Sequence, residues 1–353
     1  MNWYTVIPKN RSCSEMKVSK KVLSIITALS MGLTFTACGG SSANRTNGSS
    51  DSDSKAFKLG VSPMSGWYAW YGVEGTGIFE KNGVDVDIEF FPVYSDSLTA
   101  FNSGQLDGIC IAASDAVAPF NEGIDFKIVL VNDNSAGADA LVVHDDSITS
   151  VKDLKGKSVA TELGTLEHMY LLKLLDDNGM TIDDINFVNM TINDAGPAFI
   201  AGSVDAAVLW EPTLSMAVEG GGKVLCSTET EPGLIPDTLA VRGEVLESSS
   251  DDVQKIVDAW FEGVEKLNAR DHDFMQAIYD GAEISKDEYE VMLDGVTIFD
   301  KSMNEKTFEQ GDDYVSLPFT IDKSAKFLYD VGMIDKLPEG LSSILEDKYI
   351  KKN

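Results

Sequence analysis

The residues best suited to chemistry are Trp210 and Glu211, an aromatic face beside a carboxylate, with Pro212 directly after them. They close the stretch Phe199-Ile-Ala-Gly-Ser-Val-Asp-Ala-Ala-Val-Leu-Trp-Glu-Pro-Thr213. Ala206 to Leu209 is apolar throughout, as a strand covered on both faces should be. Pro212 suits the first turn of a helix, where its missing N–H costs nothing. Trp210 and Glu211 are therefore expected at the carboxyl end of a strand and the amino end of a helix. In open α/β sheets that is where ligands bind. An aromatic face with a carboxylate suits an amine or an organic cation; core packing is the plainer reading of the tryptophan.

The same phrase occurs earlier. Phe101-Asn-Ser-Gly-Gln-Leu-Asp107 matches Phe199-Ile-Ala-Gly-Ser-Val-Asp205 as F-x-x-G-x-[LV]-D, and delivers Ser114-Asp115 where the later copy delivers Trp210-Glu211. A second echo pairs Asp139-Ala-Leu-Val-Val143 with Asp237-Thr-Leu-Ala-Val241. The elements that position these residues are thus two α/β lobes of similar plan, each ending in an extended apolar crossing segment. Strand and helix signals alternate from residue 57 to residue 226, which predicts a parallel-rich sheet in each lobe with helices on both faces. Beyond residue 250 the pattern turns helical, with Val253, Ile256, Val257, Trp260, Val264 and Leu267 at helical spacing. This helical tail is expected to pack back on the first lobe.

Little else could react. The three histidines, His144, His168 and His272, have no second His or Cys at metal-ligand spacing and read as surface or capping residues. There is no G-x-S-x-G elbow, and Glu219-Gly-Gly-Gly-Lys223 lacks the phosphate-loop pattern. No enzyme, cofactor or metal is expected. The 353 residues leave room for about two domains, and a hydrophobic share of 43% supports true cores. A formal charge of −29 argues against nucleic acid or anionic lipid as partner. Cys110 and Cys226 read as two separate buried thiols, although an exported protein could pair them.

The N-terminus reads as a targeting segment. Lys17, Lys20 and Lys21 precede an apolar stretch that ends in Phe35-Thr-Ala-Cys38-Gly-Gly. Residues 1–37 are expected to be a signal peptide, with translation starting at Met1 or Met16. Cys38 would carry lipid, and the polar residues 38–56 would form a flexible linker. Ordinary cleavage beside an incidental cysteine is the alternative.

The sequence resembles solute-binding proteins of ABC importers of the nitrate/sulfonate/taurine type, a group whose relatives include binders of the thiamine pyrimidine precursor. The resemblance rests on the lipobox-like Cys38, Gly66-Trp-Tyr, Gly77-Ile-Phe-Glu-Lys-Asn-Gly-Val84, Gly104-Gln-Leu-Asp107, Asp153-Leu-Lys-Gly-Lys-Ser-Val-Ala160 and Trp210-Glu-Pro212. It implies an α/β, two-lobe periplasmic-binding-protein fold (type II-like) with two hinge crossings and a helical C-terminal region. Lobe 1 would be residues 57–140 plus 241–353 and lobe 2 residues 141–240. It further implies a monomer, lipid-anchored on the extracytoplasmic face of the cell membrane, that closes on a small-molecule ligand and delivers it to the importer permease. The cleft would be lined by Ser65, Trp67, Tyr68, Ser114, Asp115, Gly164, Thr165, Trp210 and Glu211. Thr165 could give a hydroxyl to the ligand or serve as a plain helix cap. The candidate loops hold no Lys or Arg but do hold Asp115, Asp133, Asp139, Glu162, Glu167 and Glu211. That favours a taurine-like zwitterion or a nitrogen heterocycle over a bare anion. Two alternatives remain: a thiamine-pyrimidine-synthesis type of enzyme, against which the distance between Cys110 and Cys226 argues, and a surface lipoprotein without a transport role.

Overall fold

The computed structural model describes residues 56–351. The targeting segment, Cys38 and nearly all of the expected linker lie outside the described residues. Among those residues, no helix is long and apolar enough to cross a membrane.

The chain builds one sheet, leaves it for a second, and returns. The first four strands are β1 (Phe57–Val61), β2 (Val86–Phe90), β3 (Gly108–Ala112) and β4 (Phe126–Ser135). Between them lie α1 (Ala69–Gly75), α2 (Ile78–Asn82), α3 (Tyr94–Asn102) and α4 (Val117–Asn121). After residues 136–138 comes β5 (Asp139–Val143), then β6 (Ser158–Thr161), β7 (Asn186–Asn189), β8 (Ala206–Trp210) and β9 (Lys223–Ser227), with α5 (Leu166–Asp177), α6 (Ile192–Ile200) and α7 (Thr213–Glu219) between them. The chain re-enters the first sheet as β10 (Pro236–Arg242), and β11 (Val296–Ile298) joins its edge. The strand orders are β2-β1-β3-β10-β4-β11 and β7-β6-β8-β5-β9.

Apart from the edge strand β11, which has no counterpart, the two orders match strand for strand, so the pseudo-repeat is structural. β1 lies between β2 and β3, parallel to both, as β6 does between β7 and β8. The aspartate ending each F-x-x-G-x-[LV]-D phrase does one job twice. Asp107 accepts the Lys58 N–H at 2.9 Å, and Asp205 accepts the Ser158 N–H at 2.7 Å. Each carboxylate thereby fixes the starting end of its sheet's central strand.

The expectation of parallel-rich sheets needs correction, because both sheets are mixed. β10 runs antiparallel to β3 and β4, and β5 runs antiparallel to β8 and β9. A strand that arrives from the other lobe through a few residues needs no crossover helix, so it enters in the reverse direction. The two echoing segments are therefore strands of the sheets they enter, and the passages between sheets are residues 136–138 and 228–235. These passages are tied together. The Thr228 hydroxyl contacts Ser135 Oγ at 2.6 Å and accepts the Gly137 N–H at 2.9 Å, while Ser135 N–H donates to Ile235 O at 3.0 Å.

The tail supplies α8 (Gly243–Ser248), α9 (Ser250–Asn268), α10 (His272–Gly281), α11 (Lys286–Asp294), α12 (Lys301–Thr307) and α13 (Leu317–Asp330). As expected, α9 and α10 pack on α1 of the first lobe. Trp260 lies 4.6 Å from Trp70 between ring centroids. Gly72 permits the approach, since a Cβ there would meet the Phe274 ring at 2.5 Å. Asn304 braces β4, accepting Val131 N–H at 2.8 Å and donating to Val131 O at 2.9 Å.

Candidate functional site

Strand ends and the two passages bring polar side chains from both lobes to one place. From the first lobe come Ser65, Asp133 at the end of β4 and Asp237 at the start of β10. From the second come Asp139 at the start of β5, Glu167 on α5, and Trp210 with Glu211 after β8. Asp133 and Asp237 are direct cross-strand partners, as are Asp139 and Trp210. Next to Asp133 the register of β4 against β10 shifts, a β-bulge of the kind that re-aims side chains beside a site. The backbone at Gly66 lies over Asp133, for a Cβ there would fall 1.9 Å from the carboxylate oxygen.

The aromatic part crosses between lobes. Tyr94 stands between Trp67, at 5.6 Å between centroids, and Trp210, at 5.7 Å and edge-on. The Tyr94 hydroxyl accepts the Ala112 N–H at 3.1 Å. Asp115, after β3, reaches the other lobe: its carboxylate accepts the Leu166 N–H at the start of α5 at 3.2 Å, and Ser114 Oγ at 3.2 Å.

The electrostatics set this place apart. Burial pushes Asp115 up to about 7, although hydrogen bonds from Tyr94, Leu166 and Ser114 pull the other way. Burial likewise pushes Asp139 up to about 6 against bonds from Ser135 and Glu167. Asp133, Asp237 and Glu167 are raised well above the carboxylate range by burial, with repulsion from neighbouring carboxylates second. Burial also raises Glu211 and Glu162. Like charges this close, out of water, favour neutral forms until an opposite charge arrives. Neither oxygen of Asp133, neither of Glu167, nor Oδ1 of Asp237 meets an N–H or hydroxyl donor, and the Ser65 hydroxyl has no partner.

The residues expected in the cleft divide. Ser65, Trp210 and Glu211 line a narrow cavity with Asp139 and Asp237, and its lining contains no Lys, Arg or His. Ser114 and Asp115 stand beside it and contact α5. Thr165 precedes α5 and is buried, but its hydroxyl donates to Glu162 O at 2.8 Å, a purely local bond. Gly164 takes the left-handed conformation at φ 86°, as the turn into α5 requires. Trp67 is fully buried against Tyr94, and Tyr68 packs toward Tyr289 at 6.3 Å; neither lines the cavity. Glu211 accepts Ser215 N–H at 3.1 Å and Ser215 Oγ at 2.8 Å, so it also fastens the start of α7.

Two smaller expectations change. His168 is not on the surface but buried against the Phe187 ring at 5.0 Å, where its Nδ1 accepts the Gly164 N–H at 3.4 Å in the turn into α5, the capping alternative; burial lowers it to about 4, so it is neutral at physiological pH. Cys110 is buried but Cys226 only half so, and the two are free thiols. Tyr94 and Asp237 were absent from the expected site. Asp237 shared the second echo's aspartate with Asp139, a signal that its position was special. Nothing in the sequence near Tyr94 marks it.

The cavity volume is about 10 Å³, space for one water at most. A solute therefore enters only if the lobes part. A larger cavity of about 920 Å³, lined among others by Asn134, Lys173, Met303 and Tyr314, includes none of the clustered carboxylates. Its size alone gives it no comparable recognition chemistry.

A family model described as NMT1/THI5 like matches residues 70–272. Over 181 residues the chain is 28% identical to a Bacillus subtilis (strain 168) protein provisionally named for binding aliphatic sulfonates, covering 51% of this chain and 54% of that one. The chain spans about half the length of the curated relatives it matches first. Among solved structures, the alkanesulfonate-binding protein SsuA from Xanthomonas axonopodis pv. citri bound to MOPS superimposes with a TM-score of 0.67 at 17% identity, over 83% of this chain and 98% of that one. The periplasmic aliphatic sulphonate binding protein SsuA from Escherichia coli gives 0.66 at 22%, over 80% and 94%. These two likenesses establish the two-lobed fold.

Proposed function

Because the chain belongs to the NMT1/THI5-like family, we propose that it is the solute-binding component of an ABC importer. It captures a small organic solute between its lobes and delivers it to a membrane permease on the extracytoplasmic side. The observation that carries this reading is the narrow cavity between two sheets of similar plan, walled by carboxylates and Trp210, with two short passages joining the sheets among the described residues. Domain closure about such passages is a familiar way to trap a ligand. The name of the Bacillus subtilis relative supports solute capture over catalysis.

In finer detail, the lobes divide at residues 136–138 and 228–235 and rotate about the Thr228 contacts. The contact residues are Ser65, Ser114, Asp115, Trp210 and Glu211, with Trp67, Tyr68, Gly164 and Thr165 supporting them from behind. The solute bears an amine or an aromatic nitrogen, as taurine-like zwitterions and nitrogen heterocycles do. The protein acts as a monomer held to the membrane by lipid on Cys38. A Cys38→Ser change should free it from the membrane fraction. The main test is a thermal-shift screen of the full chain against sulfonates, amino acids, amines, heterocycles and inorganic anions. At least one class should raise the melting temperature in a saturable way. A screen in which none does would overturn solute capture.

A further inference from the structure

We propose that the solute is a net-positive organic cation carrying several N–H bonds, an ammonium, amidinium or guanidinium compound, gripped between carboxylates of both lobes. This rests on the solute-binding reading above and narrows it to a charge and a donor pattern.

The first observation is the placement of charge. Asp133 and Asp237 face each other on neighbouring strands of one sheet, and Asp139 begins β5 of the other. Glu167 shares a hydrogen-bonding position with Asp139, and the charges of Asp139 and Asp115 are both felt at Asp237. The cluster is thus continuous across the lobes. No Lys, Arg or His lines the cavity it borders.

The second observation is independent of acidity. The Ser65 hydroxyl lines the cavity, is 3% exposed and has no hydrogen-bond partner. Asp237, 7% exposed, lines the same cavity with Oδ1 unpaired. Buried polar atoms in folded proteins nearly always find partners, and an unmet one marks a place that something else completes. Once ionised, Asp237 and Asp139 at this cavity are acceptors only, so the group that completes them in that form is a donor. An anion would add repulsion to a site that already suppresses its own charge. An N–H-rich cation answers both deficits, and Trp210 adds an aromatic surface beside it.

The carboxylates on both lobes also explain how such a cation would close the protein. With the cation between them, the Asp133–Asp237 side and the Asp139–Glu167 side attract one centre instead of repelling each other. The described residues contain no group of three or more metal-type ligands placed to hold an ion, which favours an extended organic cation over a bare divalent metal.

Proton traffic follows. The titratable groups facing the cluster are Asp115 on the β3–α4 turn, Tyr94 on α3, Cys110 on β3, Asp133 on β4, Asp139 on β5, Glu162 before α5, Glu167 and Tyr170 on α5, Glu211 before α7, Asp237 on β10 and Tyr289 on α11. A cation that draws the carboxylates into their charged forms expels protons, so binding should tighten as pH rises through about 6 to 7.

The test is calorimetry and thermal shift on the full chain at neutral pH. The cationic probes are guanidinium, methylammonium, 1,4-diaminobutane and 4-aminopyrimidine. Taurine, methanesulfonate, nitrate, calcium and zinc form the opposing set. At least one cation should raise the melting temperature by several degrees, with protons released on binding. Asp133→Asn and Asp237→Asn should each weaken that cation by roughly thirtyfold or more while the free proteins melt no lower than wild type. If the cations fail and taurine or methanesulfonate binds, the cation inference falls and solute capture survives. Stabilisation by calcium or zinc alone also overturns it. If neither set binds, the cation inference falls, and solute capture is decided by the wider screen above.

Discussion

The two lobes repeat one strand plan, yet the aspartates set on that plan live in opposite conditions, half-exposed at one end of the sheets and buried at the other. At the starting ends of the central strands, Asp107 and Asp205 are given backbone N–H donors by Lys58 and Ser158. Those bonds hold Asp205 below the usual carboxylate range. Near the other ends, Asp133 and Asp237 face each other and the charge of Asp139, out of water and without a cation beside them. The difference teaches how to sort carboxylates by what meets their charge. One whose charge is met by the backbone holds the fold together; one whose charge is unmet costs stability, and is retained for something that arrives later.

The largest effect that could break this comparison is pH. Asp139 is raised from an ordinary 3.8 to about 6 by burial, so its fold-favouring form is the protonated one. Its contribution is fully present below about pH 4 and is lost as pH rises through about 6, a change of ~3 kcal/mol. Asp115 extends the loss toward about 7. The free protein's melting temperature should therefore fall between pH 5 and pH 8. A steady rise over that range would mean that the cluster's charges are satisfied after all.

Next in size is the loss of a stapling aspartate. Asp205→Ala removes the acceptor for the Ser158 N–H and hydroxyl, each at 2.7 Å. The side chain is partly open to water, so about 1–2 kcal/mol should be lost, read from denaturant midpoints. Asp107→Ala should act alike. Unequal losses would show that the repeat is one of shape and not of energetics.

Asp133→Asn should have the opposite sign. Removing one of two facing carboxylates should stabilise the free protein near neutral pH by ~1 kcal/mol, or about 2–4 °C. Destabilisation would mean that Asp133 already serves the fold. Smallest is Thr228→Val, which removes the hydroxyl joining the two passages. It should cost about 1 kcal/mol or less, and solute affinity should fall with it, since the lobes turn about that tie. Calorimetry on the variant checks both.

Much of this plan was legible in the sequence. β3 and β8 fall where the apolar runs after F-x-x-G-x-[LV]-D placed them, because strands buried on both faces leave an unbroken signal. The paired echoes at Asp139 and Asp237 lie at the start of β5 and β10, the strands that follow each change of sheet. Their role was harder to read, since an extended apolar segment looks the same whether it bridges lobes or pairs within one. β11 is three residues long, too short for any period to register. α13 begins at Leu317, with Ser316 as cap and Pro318 in the first turn as its sequence signals.

The site was legible in type and not in membership. The loops' acidity and lack of basic residues were visible, and Trp210 and Glu211 stand where the strand–helix junction put them. That Asp133 faces Asp237 depends on the register of strands a hundred residues apart. That Tyr94 bridges two tryptophans depends on how the lobes meet. Neither leaves a local trace.

The central claim is that two equal lobes close on a solute. Small-angle scattering of the full chain, with and without a solute that raises its melting temperature, tests it most directly. The radius of gyration should fall at saturation while the circular dichroism spectrum stays unchanged, as rigid lobes turning about residues 136–138 and 228–235 require. An unchanged radius with saturable binding would contradict closure and place the solute elsewhere on the molecule.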